Sequence, residues 1–70
     1  MDPEELTQRR TALGMSRPEL AREVGVSDVT VWRWEVEKRK PTAIIGRQLE
    51  QALRRLERQK LRTASPGEGA

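Results

Sequence analysis

The sequence predicts an all-α fold, a compact domain of four helices with a long C-terminal helix. Proline and glycine stand where they begin or end helices, while Val, Ile and Thr never form the alternating run that a strand needs. The 70 residues include no cysteine and no histidine, which excludes disulfides and the usual zinc sites. We therefore expect one small domain, without a metal or other cofactor, that depends on close packing, self-association or a bound partner for stability.

The first predicted helix spans about residues 3 to 13. Asp2 can cap this helix, Pro3 suits its first position, and Glu5 is the acidic residue of a capping-box pattern. Gly14 follows as a stop, because glycine readily adopts the left-handed conformation found after helices.

Two short helices follow, and only three residues separate them. We predict the first over about residues 17 to 24, with a cap at Ser16 and a stop at Gly25. We predict the second over about residues 28 to 36, with Ser27 as its cap. This length and spacing are those of a helix-turn-helix, in which the second helix enters the DNA major groove, although an ordinary corner between two helices has the same spacing.

The second of these short helices has apolar residues on two faces, whereas a domain this small has one core. We expect Val31 and Trp34 to be buried in that core. The other face also has Arg33, which favours an outward position against a partner. The apolar residues of that outward face are Val29, Trp32 and Val36.

The last helix is predicted from a cap at Thr42 to about Lys60. Its first half should close the core over the other three helices. The residues expected there are Ile44, Ile45, Leu49, Ala52 and Leu53. Residues 1–62 then form the domain, and the small and polar residues 63–70 are expected to be a disordered tail.

The second half of the last helix has few apolar residues among many basic ones. A dimer contact, an arm along the DNA backbone and a fraying end are all open interpretations of it. We favour a dimer contact, because a two-fold dimer doubles the length of DNA that one short helix can read. The residues assigned to this contact are Leu53, Leu56 and Leu61.

The basic charge is concentrated in the second half of the chain. Residues 1–32 have four basic and six acidic residues, net −2, whereas residues 33–62 have ten basic and four acidic, net +6. Clustered positive charge is typical of a surface that binds phosphates, although a solvated helix face has the same pattern. Because the chain has no long apolar run and its first residues are acidic, we expect a cytoplasmic protein.

Several residues of this sequence stand at a spacing that is typical of one protein family. They are the pair Leu13-Gly14, the pair Leu20-Ala21, the turn Gly25-Val26-Ser27, Val31 and the pair Trp34-Glu35. Together with the basic loop that ends at Pro41, they resemble the helix-turn-helix of the lambdoid phage repressor and Cro family, the XRE-like regulators. The resemblance covers about residues 5 to 53 and implies a DNA-binding domain whose third helix enters the major groove.

The resemblance also implies which residues read the bases. Arg33 suits a two-pronged contact with guanine, and Val29 suits a thymine methyl group. Asp28 suits cytosine N4, although its position is explained equally well if it stabilises the start of the helix. Trp32 departs from the family pattern, and lies either along the groove wall or over the loop that follows. The base-reading set is Asp28, Val29, Thr30, Trp32 and Arg33.

A second set of residues is implied to bind phosphates. Arg17 stands where the family usually has a glutamine that touches the DNA backbone. The basic loop replaces an Asn-Gly turn common in the family, and its alternative role is that of a solvated loop. The phosphate-binding set is Arg17, Ser27, Lys38, Arg39 and Lys40. Arg10 and Glu35 match positions that form a partly buried ion pair in some relatives, and we expect that pair as a structural feature.

The sequence disfavours an enzyme, since it has no His, Cys or Tyr and no glycine-rich phosphate loop. We expect a regulator that binds specific double-stranded DNA, most simply a repressor that occupies a palindromic operator as a homodimer with half-sites roughly 34 Å apart. The alternative is an antitoxin or other interaction module that regulates its own operon while another surface binds a protein partner. A regulator of a phage or mobile element would use the same DNA chemistry.

Overall fold

The structure, a computed structural model, describes residues 1–63. It contains four helices: α1 (Pro3–Ala12), α2 (Arg17–Val24), α3 (Asp28–Val36) and α4 (Ala43–Thr63). No strand occurs within residues 1–63, so the all-α class is confirmed. The last helix includes Thr63, and the rest of the predicted disordered tail lies outside the described residues.

Each helix begins immediately after the residue predicted to cap it. The caps are Asp2, Ser16, Ser27 and Thr42, and the side-chain oxygen of each accepts a hydrogen bond from a backbone N–H three residues on. At α2 the capping box is complete, because the backbone N–H of Ser16 donates to the Glu19 carboxylate at 2.8 Å. Gly25 ends α2 with φ at 92°, a left-handed conformation that a residue with a Cβ adopts only with strain. These local signals fix the short helices and the turn between them.

The core lies where one side of each helix faces the centre of the domain. Val31 and Trp34 of α3 are buried there, as predicted, and the opposite face of α3 is exposed. The buried apolar residues are Leu6, Leu20, Ala21, Val24, Val31, Trp34, Leu49, Ala52 and Leu53. The outward side of α3 is therefore available to a partner.

Two predictions about α4 were wrong. Ile44 is 73% exposed and is not part of the core, because it lies nine residues before Leu53 and so on the opposite side of the helix. Leu53 is fully buried inside the monomer and cannot form part of a dimer contact. The helix is continuous past Lys60, where a family member usually has two shorter helices.

Ion pairs and a hydrogen bond hold the second half of α4 against α1. The Arg9 guanidinium binds two carboxylates of α4, with Nε 2.7 Å from Glu57 Oε2 and Nη1 2.9 Å from Glu50 Oε1. The Lys60 ammonium donates to the carbonyl oxygen of Ala12 at the end of α1. These contacts are not those of a fraying end, and they hold the long helix against the domain.

Candidate nucleic-acid interface

The start of α3 is held by its own polar residues. Ser27 Oγ accepts from the Thr30 N–H at 3.2 Å and lies 2.8 Å from Thr30 Oγ1. Asp28 Oδ1 accepts from the N–H of Val29 at 3.1 Å. All three polar residues of this predicted site thus also stabilise the helix terminus, and a negative charge there is favourable.

A shallow groove runs between the first turns of α2 and α3. Val29 and Trp32 line it from α3, and Pro18 lines it from α2. Val29 is 51% exposed and Trp32 is 41% exposed, so the groove has exposed apolar surface on its α3 side. Arg33 follows Trp32 in the same helix. Its side chain is 55% exposed, and its Nε lies 3.9 Å from Glu37 Oε1. The outward side of α3 therefore combines apolar surface with an exposed guanidinium.

A buried carboxylate underlies this groove. The Glu35 side chain is 2% exposed and binds Arg10 through two contacts, Nε to Oε2 at 2.7 Å and Nη2 to Oε1 at 3.0 Å. Arg10 also donates to the carbonyl oxygen of Met15 at 2.8 Å. Burial by itself would raise the pKa of Glu35, but hydrogen bonds from Arg10 and Arg17 outweigh it and hold the pKa below its ordinary value. The expected partners Arg10 and Glu35 are thus in direct contact.

Arg17 is the second partner of Glu35, and the sequence contains no local signal for this contact. Its Nε donates to Glu35 Oε1 at 2.9 Å, and its side chain is 36% exposed. Within residues 1–63, no hydrogen bond engages its terminal nitrogens. Arg17 was predicted only as a phosphate ligand; in the structure one edge of its guanidinium faces inward and the other is left for a further partner.

The loop between α3 and α4 is basic and exposed. Lys38, Arg39 and Lys40 are all exposed, and Arg39 lies 3.3 Å from Glu37. Lys38 has φ at 56°, the left-handed region in which glycine is favoured. This is the turn in which the family commonly has Asn-Gly, so a cationic side chain occupies a backbone conformation that costs about 1 kcal/mol for a residue with a Cβ.

The outer side of α4 is a further basic surface, which we call the α4 arginine face. Its five arginines are exposed and belong to one side of the helix, opposite the buried residue Leu53. They are Arg47, Arg54, Arg55, Arg58 and Arg62. The charge count along the chain indicated a basic second half, but only helical periodicity separates these arginines from the acids of α4.

Other kinds of site are not indicated in the described part of the chain. Residues 1–63 contain no group of three or more His, Cys, Asp or Glu side chains that could hold a metal ion. Among the same residues, no helix combines the length and the apolar composition required to cross a membrane.

The family model described as helix-turn-helix matches residues 6–61. The chain therefore belongs to the helix-turn-helix family, and the XRE-like resemblance is confirmed. Comparisons with curated proteins and with solved structures gave no match. Membership of this family makes the protein a DNA-binding transcription regulator in general terms, with α2 and α3 as its helix-turn-helix.

Proposed function

We propose that this protein is a repressor that binds a palindromic operator as a homodimer, with α3 in the major groove of each half-site. The observation that supports this proposal is the outward face of α3, which exposes Val29, Trp32 and Arg33 on a helix whose other side is buried. Such a mixture of apolar and guanidinium groups matches the base edges of a major groove better than it matches water.

The base-reading roles follow from the chemistry of each side chain. Arg33 donates to guanine O6 and N7, while Val29 and Trp32 contact thymine methyl groups and the groove wall. Thr30 is half-buried, its hydroxyl lies 2.8 Å from that of Ser27, and we assign it a hydrogen bond to a base edge. Asp28 accepts from cytosine N4 in addition to its contact with the Val29 N–H.

The phosphate-binding roles belong to residues on both sides of α3. On one side, Arg17 presents its terminal nitrogens while Glu35 holds its Nε. On the other, the exposed loop 38–40 supplies three cations, and the unfavourable backbone of Lys38 supports a role beyond that of a turn. Ser27, at the start of α3, lies where a hydroxyl and backbone N–H groups meet a phosphate.

The proposed homodimer uses the C-terminal end of α4. Leu61 is 69% exposed, and it borders a mostly apolar hollow formed with Ala12 and Leu13. Leu56 is half-buried against the core and contributes at the edge. A second copy that covers Leu61 would bring two recognition helices to half-sites roughly 34 Å apart.

The decisive experiment is DNA binding by the full chain to the region upstream of its own gene, measured against a scrambled fragment over a range of salt concentrations. We expect a preference for the upstream fragment that is reduced in Arg33→Ala by about 1 to 3 kcal/mol, the discrimination supplied by one good base contact. Affinity for the scrambled fragment should change far less.

Arg22→Ala is the matched control, because it removes one exposed arginine of the neighbouring helix α2. It should leave the preference between the two fragments unchanged. Equal affinity of the unmodified protein for both fragments at every salt concentration would refute the assignment of α3 as a base-reading helix on this operator.

A further inference from the structure

The α4 arginine face has an unusual composition for a solvent-exposed helix. Arg54 and Arg55 pair with Glu50 and Glu23, at 2.9 and 3.0 Å. Within residues 1–63, the side chains of Arg47, Arg58 and Arg62 have no hydrogen bond or ion pair. Both acids of α4 are bound by Arg9 of α1, and Glu50 is shared between Arg9 and Arg54 of the arginine face.

The α4 arginine face is mainly cationic, with Glu50 and Glu23 paired to two of its five arginines. Arg47 and Arg62 are 15 residues apart, so the α4 arginine face extends for roughly 22 Å along the helix. Gln48 and Gln51 stand among the arginines and add neutral hydrogen-bonding groups. Ile44 places a large apolar side chain on the same side, at the beginning of the helix.

The composition distinguishes between two classes of partner. The centre of a protein–protein interface is depleted of charge and contains apolar or aromatic residues. A surface that binds the nucleic-acid backbone is polar, strongly cationic and rich in arginine. The α4 arginine face has the second composition, and Ile44 lies at one end of it rather than at the centre.

The fold separates this surface from the recognition helix. The buried sides of α3 (Val31 and Trp34) and α4 (Leu49 and Leu53) meet in the same core. Their outward sides therefore point away from that core in different directions. A straight duplex seated against α3 is therefore not expected to lie along the outer side of α4.

We propose that the α4 arginine face is a second, sequence-independent DNA site that binds the phosphate backbone of another duplex segment. The protein would then hold two segments at once, one in the groove contacts of α3 and one along α4. This inference goes beyond the proposed function, and it holds whether or not α3 recognises an operator.

The test is a two-duplex capture assay with the full chain. A scrambled duplex is fixed to beads, the protein is bound to it, and the retention of a second, fluorescent scrambled duplex is measured. The variant R47Q/R58Q/R62Q removes the three arginines that have no partner within residues 1–63 and replaces them with a good helix former. Helix content measured by circular dichroism checks that the variant is folded.

We expect the unmodified protein to retain the second duplex. The amount retained by the triple variant should be at least about tenfold smaller. The slope of log affinity against log salt concentration should become shallower by about 0.9 for each phosphate that an arginine no longer neutralises. The single variants R58Q and R22Q remove the same charge from α4 and from α2, and only R58Q should reduce retention. Retention that is the same in the triple variant and the unmodified protein, or absent in both, would overturn the proposal.

Two further arms separate the possible explanations. Retention of fluorescent polyglutamate in place of the second duplex would assign the surface to an acidic protein and overturn the DNA site. The preference of the triple variant for the upstream fragment over the scrambled one should equal that of the unmodified protein. If neither the unmodified protein nor the triple variant prefers the upstream fragment, but retention of the second duplex still depends on the arginines, the operator proposal fails while the second site stands.

Discussion

Glu35 is the residue at which the core and the proposed DNA-binding surface meet. Its carboxylate is buried beside Trp34, yet it binds Arg10 of α1 and the partly exposed Arg17 of α2. One buried negative charge thus holds two guanidinium groups, and the second of them reaches the proposed phosphate-binding surface. A change at Glu35 is therefore expected to affect both stability and DNA binding.

Replacing Glu35 with glutamine should lower the free energy of unfolding at neutral pH by about 3 to 5 kcal/mol, because Arg10 would remain buried without a compensating charge. The measurement is urea unfolding followed by circular dichroism. Glu37→Gln is the control, since Glu37 is exposed and should alter stability by no more than about 0.5 kcal/mol. Similar losses in the two variants would contradict the structural role of Glu35.

The same contacts predict how stability depends on pH. The pKa of Glu35 in the folded protein is lowered from its ordinary value of 4.5, so the unfolded chain binds a proton first as the pH falls. The stabilisation is complete above that ordinary value and is lost as the pH falls through the folded pKa. Glu35→Gln should lack this part of the acid sensitivity, while hydrogen bonds from Arg9 keep the pKa values of Glu50 and Glu57 low and preserve theirs.

Arg17 makes a contact with Glu35 that could not be predicted from the sequence. The resemblance to the family predicted a phosphate contact from its position alone. Its bond to Glu35 joins residues 18 positions apart on different helices, and such a contact depends on how α2 and α3 pack. The pair Arg10 and Glu35 was expected only because relatives have it; spacing alone would have missed both contacts.

At the scale of elements, the short helices were predictable because their ends are local. Ser16, Ser27 and Gly25 decide where α2 and α3 begin and end, and each acts within a few residues of itself. The faces of α3 followed from periodicity combined with the limit of one core. In α4 the same periodicity was applied too broadly, since Ile44 was included although it lies about half a turn away from the buried stripe.

The position of the second half of α4 could not be predicted, because it depends on Arg9. This arginine has 19% of its side chain exposed and binds Glu50 and Glu57, and these hydrogen bonds raise its pKa. Nothing in the local sequence of α1 or α4 pairs residues 48 positions apart. The sequence therefore left a dimer contact, an arm along DNA and a fraying end open, and the contacts with α1 argue against the fraying end.

Arg9→Met should loosen the second half of α4 while leaving the helix-turn-helix intact. We expect a loss of about 1 to 3 kcal/mol, between the values for exposed and for buried ion pairs, because the arginine is mostly buried and its partners are partly exposed. Hydrogen exchange should speed up at the amides of α4 beyond Glu57 more than at those of α3.

Arg58→Met is the control for this change, since it removes an exposed arginine from the other side of α4 and should leave exchange nearly unaltered. A uniform acceleration across all four helices in Arg9→Met would mean that Arg9 stabilises the domain as a whole. It would then not specifically fasten the long helix.

At the scale of the whole molecule, the net charge of +3 conceals a division between surfaces. Acidic residues of α4 face inward to Arg9, whereas its arginines face outward. The loop 38–40 adds a second basic surface beside α3. Two basic surfaces on different sides of one domain are what a protein needs to contact more than one stretch of DNA.

The distribution of charge also restricts how two copies can meet. Two α4 arginine faces would repel each other, so a dimer built on that side is unfavourable. The end of α4 differs, because Leu61 is exposed next to the hollow with Ala12 and Leu13. A two-fold contact there buries apolar surface from both copies.

We therefore expect sedimentation at micromolar concentration to detect a dimer, and Leu61→Lys to weaken it. A two-fold contact covers two copies of Leu61, each worth about 1.5 to 3 kcal/mol, so the dissociation constant should rise by roughly a hundredfold or more. Ile44→Lys is the matched control, because Ile44 is similarly exposed but lies at the opposite end of α4 and should leave the dimer intact. If the unmodified chain sediments as a monomer even with its operator, or if the two lysine variants dissociate alike, the C-terminal end of α4 is not the dimer contact.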